Sequence, residues 1–71
     1  MSDCYTTLRS IGVSVETADA IAPILLGLSE KKREAFYLWA QGVTFRKIEE
    51  LCGVGRMTTV RMIRYLRDKC L

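Results

Sequence analysis

The side chains best suited to chemistry in this sequence are five cations close to its C-terminal end. They are Arg56, Arg61, Arg64, Arg67 and Lys69. Only Asp68 opposes these five, so residues 56–71 carry a net charge of +4, whereas residues 1–28 hold one cation and three carboxylates, a net charge of −2. Guanidinium groups pair in a bidentate way with phosphates and with guanine edges. The charge pattern therefore predicts a polyanionic partner, with nucleic acid as the first candidate.

The sequence offers little for catalysis or for metal binding. It has no histidine, and its three cysteines (Cys4, Cys52 and Cys70) form no CxxC pair and stand in no activating context. There is no Gly-rich phosphate loop, and the adjacent Glu49 and Glu50 point in different directions from a helix. We expect no enzyme activity, no cofactor and no metal site. The thiols are expected to be reduced, as in a cytoplasmic protein.

No targeting or membrane segment is recognisable. The N-terminus lacks the basic stretch and the long apolar run of a signal peptide. The longest apolar run, residues 21–26, is interrupted by Pro23 and is far too short to span a bilayer. We expect a cytoplasmic protein without a membrane partner.

Helix caps and glycines divide the chain into short helices, and no strand or hairpin signal is present. The predicted helices cover about 3–11, 15–26, 30–41, 45–52 and 56–69. Ser2 or Asp3 is expected to cap the first helix, and Pro23 to bend or split the second. The predicted fold is all-α, a small bundle of four to five helices containing a helix-turn-helix at about 44–69. Residues 1–71 form one domain, in which 1–27 are a helical extension of the helix-turn-helix unit 28–71.

The apolar spacing predicts which side chains hold the last two helices in place. Gly53 is expected to end the fourth helix in the left-handed conformation, and Val54 to fill the angle between the two helices. The predicted scaffold consists of Phe36, Trp39, Ile48, Leu51, Val54, Val60 and Ile63. In the extension, the many apolar side chains of residues 8–26 either complete this core or leave a dimer surface exposed.

The last helix is predicted to have two different faces, since successive residues turn by about 100°. One face gathers Thr59, Val60, Ile63, Leu66 and Cys70, and the other presents Met57, Thr58, Arg61, Arg64, Tyr65 and Asp68. The predicted contacts with DNA bases are Arg56, Met57, Thr58, Arg61 and Tyr65. The predicted contacts with DNA phosphates are Thr44, Arg46, Lys47 and Arg64.

Five short motifs follow one another along residues 28–60. They are Leu28-Ser29-Glu30, Ala40-Gln41-Gly42, Thr44 followed by Ile48, Gly53-Val54 and Thr59-Val60. Together they resemble the DNA-binding domain of LuxR-type regulators and the related region 4 of sigma factors. Two features depart from that family: Glu49 stands where a small alanine is usual, and the link to Thr59 is one residue longer.

The resemblance implies a sequence-specific transcriptional regulator that binds double-stranded DNA, commonly as a homodimer. A domain of this size without a sensor is expected of a regulator encoded by a phage or another mobile element. The alternative is a protein-binding adaptor that docks on RNA polymerase or on another transcription regulator, with Met57, Met62 and Tyr65 as adaptable contacts. Steep loss of affinity with salt is expected for DNA binding and not for an apolar adaptor contact.

Overall fold

A computed structural model describes residues 4–70, and for residue 70 the backbone alone. These residues form five α-helices: α1 (Cys4–Ser10), α2 (Val15–Leu26), α3 (Glu30–Ala40), α4 (Phe45–Cys52) and α5 (Arg56–Cys70). No strand occurs within residues 4–70. The all-α bundle is thereby confirmed, with each helix end within one residue of its predicted position. The predicted caps of the first helix, Ser2 and Asp3, lie outside the described residues.

Three of the helices begin with the same kind of cap. Ser14, Ser29 and Thr44 have extended backbones, and each side-chain oxygen accepts a hydrogen bond from the backbone N–H three residues later, at 3.3 Å. A helix start leaves four N–H groups without an intrahelical partner, and the hydroxyl satisfies one of them. These hydroxyl residues therefore fix where α2, α3 and α4 begin.

Helix α2 runs without a break through Pro23, so the expected split does not occur. Pro23 lies in the second half of the helix, and its ring is exposed to solvent. Ala22 and Leu25 on either side of it are buried, so packing holds the helix together despite the missing N–H donor.

Contacts between the helices give the bundle its organisation. Helices α3, α4 and α5 all touch one another, α2 packs against α5, and α1 packs against α2. From the N-terminal segment, Leu8, Ile21 and Leu25 are fully buried, and they belong to the same hydrophobic core as α3, α4 and α5. Most apolar side chains of the extension therefore complete the core, whereas Val15 and Leu26 remain exposed.

The side of α3 that faces the core includes Ala35 and Phe36 but only part of Trp39. Ala35 and Phe36 are buried, whereas Trp39, expected to be a core anchor, is only half-buried. The indole packs at the edge of the core with its ring centroid 5.8 Å from that of Phe36. Trp39 therefore packs against the edge of the core and is not one of its central residues.

Tyr37 connects α3 to α1 through a side-chain hydrogen bond between its phenol and the thiol of Cys4. Cys4 is buried, and the phenol is itself half-buried. Burial raises the pKa of Tyr37 well above its ordinary value, and the hydrogen bond to Cys4 raises it further, since both disfavour the phenolate. The first helix is thus tied to the bundle by a contact that requires a protonated phenol.

Alkaline pH is therefore expected to weaken the fold through Tyr37. Its pKa is higher in the folded than in the unfolded chain, so its contribution to stability is complete below about pH 10 and is lost as the pH rises further. Urea unfolding between about pH 9 and pH 11 should show a steeper loss of unfolding free energy for the wild type than for Tyr37→Phe. Tyr65→Phe, which removes an exposed phenol, is the control for the loss of a tyrosine. Parallel pH profiles of the wild type and Tyr37→Phe would contradict this account.

Candidate nucleic-acid interface

A three-residue turn, residues 53–55, joins α4 to α5. Gly53 has φ +74° and ψ +11°, the left-handed conformation expected from the sequence, and its N–H donates to the carbonyl of Glu49 at 2.9 Å. Val54, which was expected to fill the angle between the two helices, is buried. A side chain at residue 53 would carry the steric cost of this conformation, so glycine is the residue that lets the chain reverse here.

One face of α5 anchors it to the bundle. Thr59, Met62, Ile63 and Leu66 are buried at the alternating three- and four-residue spacing of a helical stripe. The Thr59 hydroxyl donates to the carbonyl of Gly55 at 3.1 Å, so this buried oxygen has a partner within the first turn. Val60 lies half-buried at the edge of the stripe, and the side chain of Cys70 lies outside the described part of the chain.

The burial of Met62 corrects one expectation from the sequence. Only 7% of Met62 is exposed, so its side chain is part of the core and is not an adaptable surface contact of the kind expected for the adaptor alternative. The reason is its position between Thr59 and Leu66 on the buried stripe.

The packing of α4 corrects a second expectation from the sequence, which concerns Leu51. Leu51 was expected to belong to the scaffold, yet 59% of it is exposed, while Ile48 is fully buried and Cys52 is half-buried. Residues four apart on a helix are separated by about 40° and residues three apart by about 60°, so Cys52 stays closer to the direction of Ile48. Burial raises the pKa of the Cys52 thiol, and the nearby charge of Glu34 raises it further. Cys52 thus takes the inward place and Leu51 faces solvent.

The opposite face of α5 carries the predicted base contacts. Arg56, Met57, Thr58, Arg61 and Tyr65 are all at the surface, as is the predicted phosphate contact Arg64. Among the side chains that the structure describes, no carboxylate forms an ion pair with an arginine of α5. The cations of this face therefore remain available to an external anion.

The start of α4 lies beside the start of α5. The guanidinium carbon of Arg56 is 5.9 Å from the centroid of the Phe45 ring, a cation–π contact between the two helices. The predicted phosphate contacts Thr44 and Arg46 flank Phe45 in the sequence, and both are exposed. The Thr44 hydroxyl accepts the capping bond from Lys47 N–H, which leaves its own proton free to donate.

Two further contacts involve cations of this region. The Lys69 ammonium lies 5.3 Å from the centroid of the Tyr65 ring. Lys47 is paired with Glu50 at 3.7 Å, and both side chains are more than half exposed, so the pair is screened by solvent and weak. Neither contact removes a cation from the surface.

A groove between α3 and α5 brings three of the predicted base contacts together. Its lining consists of Thr58, Arg61 and Tyr65 with Leu28, Lys32 and Met62. Leu28 and Lys32 come from α3 and its preceding turn and were not predicted as site residues. In the sequence, Leu28 is the first residue of the Leu28-Ser29-Glu30 motif and Lys32 stands at i+4 from it, and neither observation says what the two side chains face.

Comparison with protein-family models, with curated proteins and with solved structures finds no match to this chain. The resemblance to LuxR-type domains and sigma region 4 therefore remains a prediction from short motifs. No helix within residues 4–70 has both the length and the apolar character needed to cross a membrane. No three potential ligands among the described His, Cys, Asp and Glu residues come together as a metal site.

The left-handed turn gives a testable expectation for stability. Gly53→Ala places a Cβ at φ +74°, which costs about 1–2 kcal/mol of unfolding free energy. Gly27→Ala is the matched control, because Gly27 has φ −83° and its added Cβ would make only ordinary contact, 3.5 Å from the Ile24 carbonyl oxygen. Urea unfolding measures both variants. An equal effect of the two substitutions would argue against the left-handed turn.

The orientation of α4 gives a second expectation. Leu51→Ala should change the unfolding free energy by no more than about 0.5 kcal/mol, because the side chain is largely in water. Ile48→Val removes a single methyl group from a fully buried site and should cost about 0.5–1.5 kcal/mol. Thermal or urea unfolding of the two variants distinguishes them. A larger loss for Leu51→Ala than for Ile48→Val would mean that Leu51 is the residue that packs inward.

Proposed function

We propose that this protein is a small sequence-specific DNA-binding transcriptional regulator. In this proposal α4, residues 53–55 and α5 act as a helix-turn-helix, and α5 enters the major groove of double-stranded DNA. The observation that carries the proposal is the two-sided character of α5: one side is fixed in the core, and the other exposes arginines without carboxylate partners beside hydroxyl groups.

The exposed side chains of α5 have the chemistry that base reading requires. Arginine donates two parallel hydrogen bonds to guanine, and threonine hydroxyl and methyl groups suit a base edge or a thymine methyl. Arg61 and Thr58 supply these groups, and Arg56 is oriented by its contact with Phe45. Met57 and Tyr65 add apolar and phenolic contacts beside them.

The proposed phosphate contacts extend from the same region. Arg56 and Arg64 are separated by eight residues, roughly 12 Å along the helix axis, so charges are present over a little more than two helical turns. Thr44 and Arg46 flank Phe45, whose ring contacts Arg56 at the start of α5, and Lys47 directly follows Arg46. A surface with cations on both helices fits a DNA backbone that passes the start of α4 while α5 enters the groove.

A homodimer is the assembly we propose. One recognition helix reads only a few base pairs, and two copies related by two-fold symmetry double the length of the site that is read. Selection from a randomised duplex pool with the purified protein, at low and at moderate salt, tests both parts of the proposal. Enrichment of a palindromic motif with strong salt dependence is expected. Absence of binding even at low salt would contradict DNA binding, and enrichment of a single half-site would contradict the dimer.

Substitutions separate base reading from phosphate attraction. Arg61→Ala should weaken binding to the selected site by about 1–3 kcal/mol, about 5- to 150-fold in Kd, and relax the preference at one base pair. Lys47→Ala should weaken binding to all duplexes alike and make the dependence of log K on log salt less steep by about 0.9. Lys31→Ala removes an exposed cation of α3 outside the proposed interface and is the control. An equal loss for Arg61→Ala on selected and random DNA would show a phosphate contact instead.

A further inference from the structure

The groove between α3 and α5 combines an apolar floor with a positively charged rim. Leu28, the buried Met62 and the ring of Tyr65 supply apolar surface, and Lys32 and Arg61 add a cation from each helix. The groove has a volume of about 410 Å³. It is open to solvent, as a site for a protein segment must be.

The charge of this groove sets it apart from two other depressions along α3. Those two are each lined by Glu30 and Glu34, one together with Arg33 and Tyr37 and the other with Lys31, Leu51 and Cys52. No carboxylate is among the residues that line the groove between α3 and α5. Its cations are therefore uncompensated within the groove, and an occupant with negative charge is favoured.

The apolar floor favours a protein over a nucleic acid as that occupant. A phosphate backbone has no bulky apolar group with which to cover Leu28 and Met62, whereas an amphipathic helix brings such groups at three- and four-residue spacing. Tyrosine offers a rigid amphipathic ring and is common at protein-binding surfaces, and 52% of Tyr65 is exposed. The apolar floor and the positively charged rim together are complementary to an amphipathic helix that has one apolar stripe flanked by carboxylates.

We propose that the groove between α3 and α5 binds an acidic amphipathic helix of a partner protein. The apolar stripe of that helix covers Leu28, Met62 and Tyr65, and its flanking carboxylates pair with Lys32 and Arg61. Since Thr58, Arg61 and Tyr65 also belong to the proposed base-reading face, the helix and DNA exclude each other. This exclusion rests on the proposed function, whereas binding of the helix does not.

The direct test uses a fluorescein-labelled synthetic peptide with leucines at i, i+3, i+4 and i+7 and glutamates around them. A peptide of the same composition with scattered leucines has the same charge but no stripe. Fluorescence anisotropy with the full chain should show binding of the ordered peptide at least about tenfold tighter than that of the scrambled one. Lys32→Glu should weaken binding by about tenfold or more, and Lys31→Glu, with the same change of net charge, by less than about twofold.

Three outcomes would overturn the groove as the binding site: no binding of the ordered peptide, equal binding of the two peptides, or equal effects of Lys31→Glu and Lys32→Glu. Far-ultraviolet circular dichroism verifies that both variants keep their helices. None of these measurements contains DNA, so a failure of the groove is distinct from a failure of DNA binding.

The exclusion is tested with a duplex that the wild type binds in the absence of peptide. The unlabelled ordered peptide should displace this duplex over the concentration range in which it occupies the groove. A complex that holds duplex and peptide together would overturn the exclusion, as would a protein that binds no duplex at all. With Lys32→Glu the peptide should displace the duplex only at about tenfold higher concentration or above, whereas Lys31→Glu should behave as the wild type.

Discussion

The buried stripe of α5 is the interaction on which the rest of the structure depends. Thr59, Met62, Ile63 and Leu66 face α2, α3 and α4, so a single helix contributes to the contact with most of the bundle. In a chain of 71 residues the core is thin, and each buried side chain of this stripe contributes a large share of the stability. The stripe also fixes the rotation of α5 about its axis. Consequently the same contacts decide which of its side chains are left in water.

The exposed face of α5 follows from this constraint together with the charge distribution. Once the stripe is buried, the arginines of α5 have no place except the surface, and few carboxylates are near enough in the sequence to neutralise them. The turn at Gly53 and the contact between Phe45 and Arg56 then bring the start of α4 to the start of α5. A rigid core, a short turn and an uncompensated positive surface are the features from which we propose DNA binding. The adjoining groove, with Leu28 at its floor, is where we propose that a protein competes with it.

The sequence predicted well where a local physical rule decides the structure. Hydroxyl caps and the left-handed Gly53 depend on neighbouring residues only, and the helix boundaries that they set were correct within one residue. It predicted poorly where two residues compete for one direction. Leu51 was assigned to the scaffold together with Ile48, whereas the structure leaves Leu51 in solvent and turns the smaller Cys52 inward. Angular position and the space beside α3 decide such a case, and neither can be read from composition.

The candidate site divides in the same way. The exposure of Arg61 and Tyr65 was predictable because helical periodicity places them opposite the core. The participation of Lys32 was not predictable, since it depends on how α3 lies against α5, a contact between residues far apart in the chain. Met62 was wrongly predicted to be a surface contact. It directly follows the exposed Arg61 in the sequence, yet its side chain belongs to the buried stripe.

The most direct test of the central claim is a nuclear magnetic resonance titration of the isotope-labelled chain with its selected duplex. If α5 is the recognition helix, amide shifts concentrate at the start of α4 and along the exposed side of α5, with Arg56, Thr58 and Arg61 among the largest. Amides of α1 and the first half of α2 should change little. Shifts centred on those N-terminal helices, or a duplex that moves no resonance of α5, would contradict the claim that α5 is the recognition helix.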